Sequence, residues 1–178
     1  YELADSKTLT KLKDGVQSIN FNFKDTSGKF VSLNDIRFKD KVVVVQILGT
    51  WCPNCLDETQ FFLSYINENP NKDLAFVGLS VEAAKTEEKA MKRIKNMIHK
   101  FNIPYPILLA QYGGTDKEKF LKKIPMLENI ISYPTTIIID KSGKVNSIHT
   151  GFNGPATGQA YVDYKEDFKT EIKGLLDL

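Results

Sequence analysis

The sequence predicts an α/β domain in which helices flank a central mixed sheet, and three patterns support this class. Residues 41–48 form a continuous β-branched run, which is typical of a central strand covered on both faces. Strand and helix patterns alternate from there to residue 109, and such alternation indicates parallel βαβ units. Hairpin patterns before and after this region, at residues 19–33 and 135–150, add antiparallel strands.

The individual elements are predicted in chain order from periodicity and turn residues. Residues 1–17 are polar and weakly patterned, so we expect a loosely ordered lead-in, followed by a single domain at residues 18–178. Apolar residues recur every three or four positions in the longer helices, and short β-branched or alternating runs mark the strands. The helices are predicted at 53–68, 86–101, 117–123 and 161–176, and the strands at 19–23, 30–33, 41–48, 74–81, 107–109, 135–140 and 145–150.

The composition is that of an ordinary globular protein, with 42% hydrophobic and 26% charged residues. A net charge of +2 is too small to make nucleic acid or an anionic membrane the main partner, so we expect no nucleic-acid binding. Interleaved charges such as those at 85–89 indicate a solvated face. The chain begins with Tyr1 rather than methionine, from which we expect that a segment was removed; a membrane tether before Tyr1 stays open.

The only two cysteines lie in one motif, Cys52-Pro53-Asn54-Cys55. A disulfide between them closes a very short loop and therefore adds little stability, so reactivity explains the pair better. The motif is predicted to start a helix, with Pro53 at its first position. Both sulfurs then lie on one side, and the helix N-terminus favours negative charge at the first. We predict Cys52 as the nucleophile, Cys55 as the more buried resolving thiol, and Trp51 as an apolar wall beside the sulfur.

Residues 42–58, together with Tyr133-Pro134-Thr135-Thr136 about 80 residues later, resemble the thioredoxin superfamily. The N-terminal hairpin and the inserted strand and helix at about 74–101 are similar to the TlpA/ResA-like branch, which contains exported, often membrane-tethered disulfide reductases. The resemblance covers about residues 18–176 and implies a thioredoxin-like fold. It further implies a thiol–disulfide oxidoreductase in a periplasmic or other extracytoplasmic compartment, with a disulfide-bearing protein substrate and a separate protein reductant.

Further site residues follow from this resemblance. Pro134 matches the family's cis-proline, whose loop faces the CxxC, although a trans proline that merely begins a strand is the alternative. Beside it, Tyr133, Trp51 and Pro53 are predicted to bind substrate. Glu82 falls where ResA-like members carry a carboxylate near the active site, and it could exchange the proton of Cys55. A solvated helix-capping acid at this position is the competing interpretation.

Two polar residues near the motif mark a departure from thioredoxin itself. Gln46 occupies the strand position at which thioredoxin has a buried, proton-transferring aspartate. Glutamine cannot titrate, so that proton route is absent, which favours the TlpA-like interpretation. We expect Gln46 to be a hydrogen-bonded core residue and Glu58 to be a surface acid of the helix. The loops at 110–131 and 149–158 are expected to form a substrate rim or plain connectors.

Three other kinds of site could contain the two thiols of a CxxC: a zinc site, a copper carrier and a peroxidase. A CxxC is half of a zinc site, but no second CxxC exists, and His99 and His149 lie far apart in sequence. A copper carrier would suit soft thiolates, although no methionine or histidine completes an evident site. A peroxiredoxin-like peroxidase usually carries threonine or serine three residues before its reactive cysteine, where this chain has Gly49. We therefore expect disulfide exchange, with no metal and no cofactor.

Overall fold

The fold is described by a computed structural model that covers residues 4–178. Its centre is a seven-stranded mixed sheet in the order β2-β1-β5-β4-β3-β6-β7. The strands are β1 (Asn22–Lys24), β2 (Phe30–Ser32), β3 (Val42–Leu48), β4 (Leu74–Val81), β5 (Ile107–Gln111), β6 (Thr135–Ile139) and β7 (Val145–Thr150). The helices are α1 (Ser6–Leu9), α2 (Pro53–Glu68), α3 (Glu87–Phe101), α4 (Lys117–Leu121) and α5 (Gln159–Leu176), and short 3₁₀ helices lie at Ile36–Phe38 and Pro155–Thr157.

The three central strands confirm the predicted βαβ units. β3 pairs in parallel with β4, and β4 pairs in parallel with β5. Helices α2 and α3 make the crossovers that parallel strands require. The outer strands are antiparallel, since β6 pairs with β3, β7 with β6, and β1 with both β2 and β5. Because β3 and β4 are parallel, the segments that follow them emerge at the same edge of the sheet, and this edge carries the CxxC.

Alternation along β3 divides the core between the two faces of the sheet. Every residue of β3 is buried, as the uninterrupted β-branched run predicts. Val43, Val45 and Ile47 pack into a cluster with residues of the N-terminal hairpin and of the 120–130 region. Val42 and Val44 instead pack with aromatic residues of α2 and α5. Gln46 points to the same face as α2, so a polar group lies beneath the first turns of that helix.

The N-terminal segment shows more structure than its polar pattern suggested. Residues 6–9 form α1, and the Thr10 hydroxyl, which is buried, lies 2.6 Å from the hydroxyl of Thr150. Because hydroxyl and backbone groups make these contacts, the segment has no apolar periodicity from which its helix could be predicted. Tyr1 and any tether before it lie outside the described residues. Among the described helices, none combines the length and the apolar character needed to cross a bilayer.

Boundaries differ from the predicted ones where turns rather than periodicity decide them. α2, β4 and β7 begin and end at the predicted residues. β1 begins only at Asn22, although Ile19 and Phe21 before it are already buried and follow the alternating pattern. β5 continues to Gln111 because its end stays paired with β4, and α5 begins two residues earlier than predicted.

Candidate active site

The cysteine pair lies between the end of β3 and the start of α2. Cys52 is the N-cap residue of α2, and Pro53 stands at its start, as predicted. The two sulfurs are bonded as a disulfide, with their Cα atoms 5.3 Å apart. The backbone N–H of Cys55 donates to Cys52 Sγ at 3.2 Å, so the first sulfur sits at the positive end of the helix. Cys55 is completely buried and Cys52 retains 6% exposure, which matches the predicted order of accessibility.

Trp51, for which the sequence predicted an apolar wall beside the sulfur, packs between the end of β4 and Tyr133. Its indole Nε1 donates to the Val81 carbonyl at 2.9 Å, and its ring meets Tyr133 edge to face, with the ring centroids 5.8 Å apart. The ring lies directly over Gly49, where an added Cβ atom would overlap Nε1 of the indole. Only glycine at this position leaves room for the indole, which nevertheless remains 42% exposed to solvent.

Glu82 is fully buried, and its carboxylate holds the loop that leads to Cys52. Oε1 accepts from the backbone N–H of Thr50 at 3.0 Å, and Oε2 accepts from the Thr50 hydroxyl at 2.7 Å. The Ser80 hydroxyl also donates to Oε1. The alternative of a solvated helix-capping acid is wrong, because Thr86 caps α3 and Glu82 has no exposed surface.

Glu58 is a second buried carboxyl, and here the sequence-based expectation of a surface acid is wrong. It lies three residues after Cys55 on the inner face of α2 and has no exposed surface. Its Oε1 accepts from Gln46 Nε2 at 3.0 Å and from the Thr136 hydroxyl at 2.7 Å. Its Oε2 accepts from the Tyr164 hydroxyl at 2.7 Å. These partners on β3, β6 and α5 make a polar pocket that the local pattern does not reveal.

Burial dominates the electrostatics of this carboxyl. Removal from water raises the pKa of Glu58 from 4.5 to about 7, although the bonds from Thr136, Tyr164 and Gln46 oppose the rise. Gln46 also donates to the carbonyl oxygen of Cys55 at 3.1 Å, and this confirms its predicted role as a hydrogen-bonded core residue. One network therefore joins the backbone of the second cysteine to a carboxyl that changes charge near neutral pH.

The segment at 132–134 covers the other side of the cysteine pair. The peptide bond between Tyr133 and Pro134 is cis, and the Tyr133 carbonyl oxygen lies 3.8 Å from Cys52 Sγ. The Tyr133 hydroxyl donates to the carbonyl of Thr115, so the loop before α4 supports this segment from behind. Of the residues predicted to bind substrate, Tyr133 thus approaches the Cys52 sulfur through its carbonyl, while Trp51 and Pro53 flank Cys52 in the chain; their part in substrate binding remains a prediction.

Asn54 makes a contact that sequence reasoning missed. Its Nδ2 donates to the carbonyl oxygen of Phe152 at 2.9 Å, across 98 residues of sequence. A Cβ atom at Gly154 would lie 3.5 Å from Asn54 Oδ1, so the same loop packs against the start of α2. The turn-rich stretch after β7 therefore borders the cysteine motif. Its glycines and the polar residue inside the CxxC were the only sequence signals for this contact.

Comparisons with known proteins agree with this geometry. The Redoxin family profile matches residues 11–163. Thioredoxin-like protein YneN of Bacillus subtilis (strain 168) is 31% identical over 146 residues, which cover 82% of this chain and 76% of YneN. Thiol-disulfide oxidoreductase ResA of Bacillus thuringiensis subsp. konkukian (strain 97-27) is 30% identical over 135 residues, which cover 76% of this chain and 68% of ResA.

The solved structures support the fold. The crystal structure of a thiol:disulfide interchange protein of the thioredoxin family from Chlorobium tepidum TLS aligns with a TM-score of 0.63 at 21% identity, covering 90% of this chain and 96% of that chain. The thioredoxin-like fold implied by the sequence resemblance is thereby confirmed. With the family match, the ResA and YneN relatives and the disulfide-bonded Cys52–Cys55 pair, this chain belongs to the Redoxin family, as a ResA-like thiol–disulfide oxidoreductase of the thioredoxin superfamily.

Proposed function

We propose that this protein reduces disulfides in partner proteins outside the cytoplasm. The observation that carries the proposal is the cysteine pair at the start of α2, with Cys52 the slightly more exposed residue and Cys55 completely buried. Such an arrangement suits one thiol that attacks a disulfide and a second thiol that resolves the mixed disulfide. The resemblance to exported ResA-like reductases supports the compartment.

The first step is attack by the Cys52 thiolate on a substrate disulfide. A bond forms between Cys52 Sγ and one substrate sulfur, the substrate S–S bond breaks, and the other substrate sulfur leaves as a thiolate. The N–H of Cys55 and the N-terminus of α2 stabilise the negative charge on Cys52 before the attack. The Tyr133 carbonyl faces the same sulfur and is placed to accept a backbone hydrogen bond from the substrate.

The second step releases the reduced product. The Cys55 thiol loses its proton and attacks Cys52 Sγ, which forms the intramolecular disulfide and expels the second substrate thiolate. Two electrons have then passed from the cysteine pair to the substrate, and a separate protein reductant must restore the dithiol. Glu58 is suited to take the Cys55 proton because it is one helical turn away on the same face of α2, and its pKa is about 7.

Glu82 has a different part in this proposal. Its two oxygens accept from the backbone and the hydroxyl of Thr50, two residues before Cys52, so it positions the loop that presents the nucleophile. The proton exchange predicted for Glu82 from the family resemblance is tested against Glu58 by comparing Glu82→Gln with Glu58→Gln. The pH profile of the resolution step should change in Glu58→Gln. If only Glu82→Gln changes this pH profile, Glu82 and not Glu58 exchanges the proton of Cys55.

The test of the function is reduction of a protein disulfide such as that of insulin, supplied with a chemical reductant. The wild-type chain should accelerate the reaction and Cys52→Ser should not. Cys55→Ser should instead trap the partner as a mixed disulfide on Cys52. Activity that survives Cys52→Ser would refute the proposal.

The direction of electron flow is tested by the redox potential against glutathione. The two residues between the cysteines, Pro53 and Asn54, carry no charge, so we expect a reducing rather than a strongly oxidising couple. A potential in the range of the strong oxidants, near −120 mV, would make the protein an oxidase instead.

A further inference from the structure

A groove beside the cysteine motif combines an apolar floor with a basic rim. It has a volume of about 370 Å³ and lies between the active-site loop, the first turn of α2 and one face of α3. Trp51, Leu56 and Phe101 supply apolar surface, and Met97 closes the bottom. Because Trp51 adjoins Cys52, the groove begins at the residue next to the nucleophile.

Helix α3 carries a run of positive charge that no acidic residue interrupts. From residue 89 to residue 101 the helix carries five lysine or arginine residues and no acidic residue, although the whole chain has a net charge of only +2. Two of these cations, Arg93 and Lys100, line the groove. They stand two helical turns apart, which is about 10 Å along the helix axis. The charge that the groove presents is therefore local and is not a property of the whole surface.

Neither cation has an ion-pair partner among the residues that the structure describes, since no carboxylate within residues 4–178 lies within ion-pair distance of Arg93 or Lys100. The Lys100 ammonium is 5.4 Å from the centroid of the Phe101 ring, so it stays beside the apolar floor. Favourable interaction with the helix C-terminus accounts for Lys100 in the last turn of α3, but it does not account for Arg93 in the middle.

We propose that this groove binds an acidic and apolar segment of the partner protein, close to the partner's reactive cysteine. This inference rests on the proposed disulfide exchange and specifies the kind of substrate that it favours. An extended chain advances about 3.3 Å per residue, so a segment only a few residues from a cysteine bonded to Cys52 reaches the groove past Trp51. Apolar side chains of the segment meet Leu56 and Phe101, and its carboxylates meet Arg93 and Lys100.

The test uses two peptides that differ only in charge. Each contains one cysteine joined to 2-mercaptoethanol as a mixed disulfide, flanked in one peptide by Leu-Glu-Glu-Leu and in the other by Leu-Gln-Gln-Leu. The reduced protein transfers two electrons to this bond, which yields the peptide thiol, 2-mercaptoethanol and the Cys52–Cys55 disulfide. The rate constant is read from the released peptide thiol by chromatography. We expect about tenfold faster reduction of the glutamate peptide in 50 mM salt, and a smaller preference in 500 mM salt because salt screens exposed charges.

Two double variants with the same change in net charge locate the effect. Arg93→Glu with Lys100→Glu should remove the preference for the glutamate peptide, a change of about tenfold or about 1.4 kcal/mol. Lys92→Glu with Lys95→Glu is the matched control, because both lysines are exposed on α3 but do not line the groove. This control should keep the preference within about twofold. Unchanged thermal unfolding of both variants verifies their folding.

The outcomes separate this inference from the function on which it rests. Equal reduction of both peptides by the wild-type chain overturns the groove assignment and leaves disulfide reduction intact. Loss of the preference in both double variants also overturns it, because the cause is then the general field of α3. A third outcome assigns the groove to a membrane instead. In that case the wild-type chain binds phosphatidylglycerol vesicles but does not discriminate between the peptides, and only the double variant at Arg93 and Lys100 loses the vesicle binding. A wild-type chain that reduces neither peptide contradicts the proposed function itself.

Discussion

Replacing Glu58 by glutamine should change how the stability of this protein depends on pH. The Glu58 carboxyl is completely buried, and its pKa lies at about 7 instead of 4.5. Glu58 therefore ionises at a lower pH in the unfolded state than in the folded state, so its charged form destabilises the folded protein. The penalty is absent below pH 4.5, grows as the pH rises, and is complete above about pH 7.

The magnitude follows from the two pKa values. At about 1.4 kcal/mol for each pH unit between them, the wild-type protein should lose about 3 kcal/mol relative to Glu58→Gln between pH 4.5 and pH 8. Glutamine has the same shape as glutamate and keeps an oxygen acceptor for Gln46 and Thr136. Its amide nitrogen would donate to the Tyr164 hydroxyl and reverse one hydrogen bond, which adds an offset that is independent of pH.

The measurement is urea unfolding of the oxidised protein at several pH values from 4.5 to 8. The difference in unfolding free energy between wild type and Glu58→Gln cancels the titration of all other groups. Glu68→Gln, at the exposed end of the same helix, is the matched control and should give a nearly constant difference. A wild-type to Glu58→Gln difference that stays within about 0.5 kcal/mol across this range would refute the assignment of Glu58 as a carboxyl that titrates near neutral pH.

Three further substitutions test local contacts, two of them at the cysteine motif and one near the end of α5. Gly49→Ala should displace the Trp51 ring and cost about 1–3 kcal/mol, measured by urea unfolding together with the fluorescence of this sole tryptophan; an unchanged spectrum would contradict the predicted clash. Gly174→Ala should instead stabilise α5 by about 0.5–1 kcal/mol, because a Cβ atom there meets nothing within 4 Å, and a lower urea midpoint would contradict this. Asn54→Ala should cost about 0.5–1.5 kcal/mol and speed amide exchange in the loop at Phe152, and equal exchange rates would show that the bond does not hold the loop.

Much of the fold could be read from local patterns because local physics decides those features. The β-branched run of β3 is buried at every position, and α2 begins at the proline that suits a first helical turn. The motif itself placed two thiols one helical turn apart. Helix α1 was not predicted, because its contacts come from hydroxyl and backbone groups and leave no apolar period to detect.

The burial of the two carboxyls could not be predicted from the sequence. Glu58 lies three residues after Cys55, and Glu82 matches a family position near the active site. From the sequence, either side chain was compatible with a solvated surface acid. Glu58 is buried because its partners Thr136 and Tyr164 come from elements 78 and 106 residues away. A polar residue on a helix is buried only when such partners compensate for lost hydration, and these partners are brought together only by the folded sheet.

The amino-acid sequence by itself determined the reactive chemistry of this protein, because a lone CxxC at the start of a helix has few other uses. It also determined the order of the seven strands and of helices α2 to α5, since hydrophobic periodicity is a local property. Only the tertiary structure decided which carboxyl is joined through Gln46 to the backbone of Cys55, and which cations of α3 line the groove beside Trp51. The reason is that burial and charge at a site depend on neighbours that are distant in sequence, and these neighbours meet only when β3, α2, α3 and α5 have packed together.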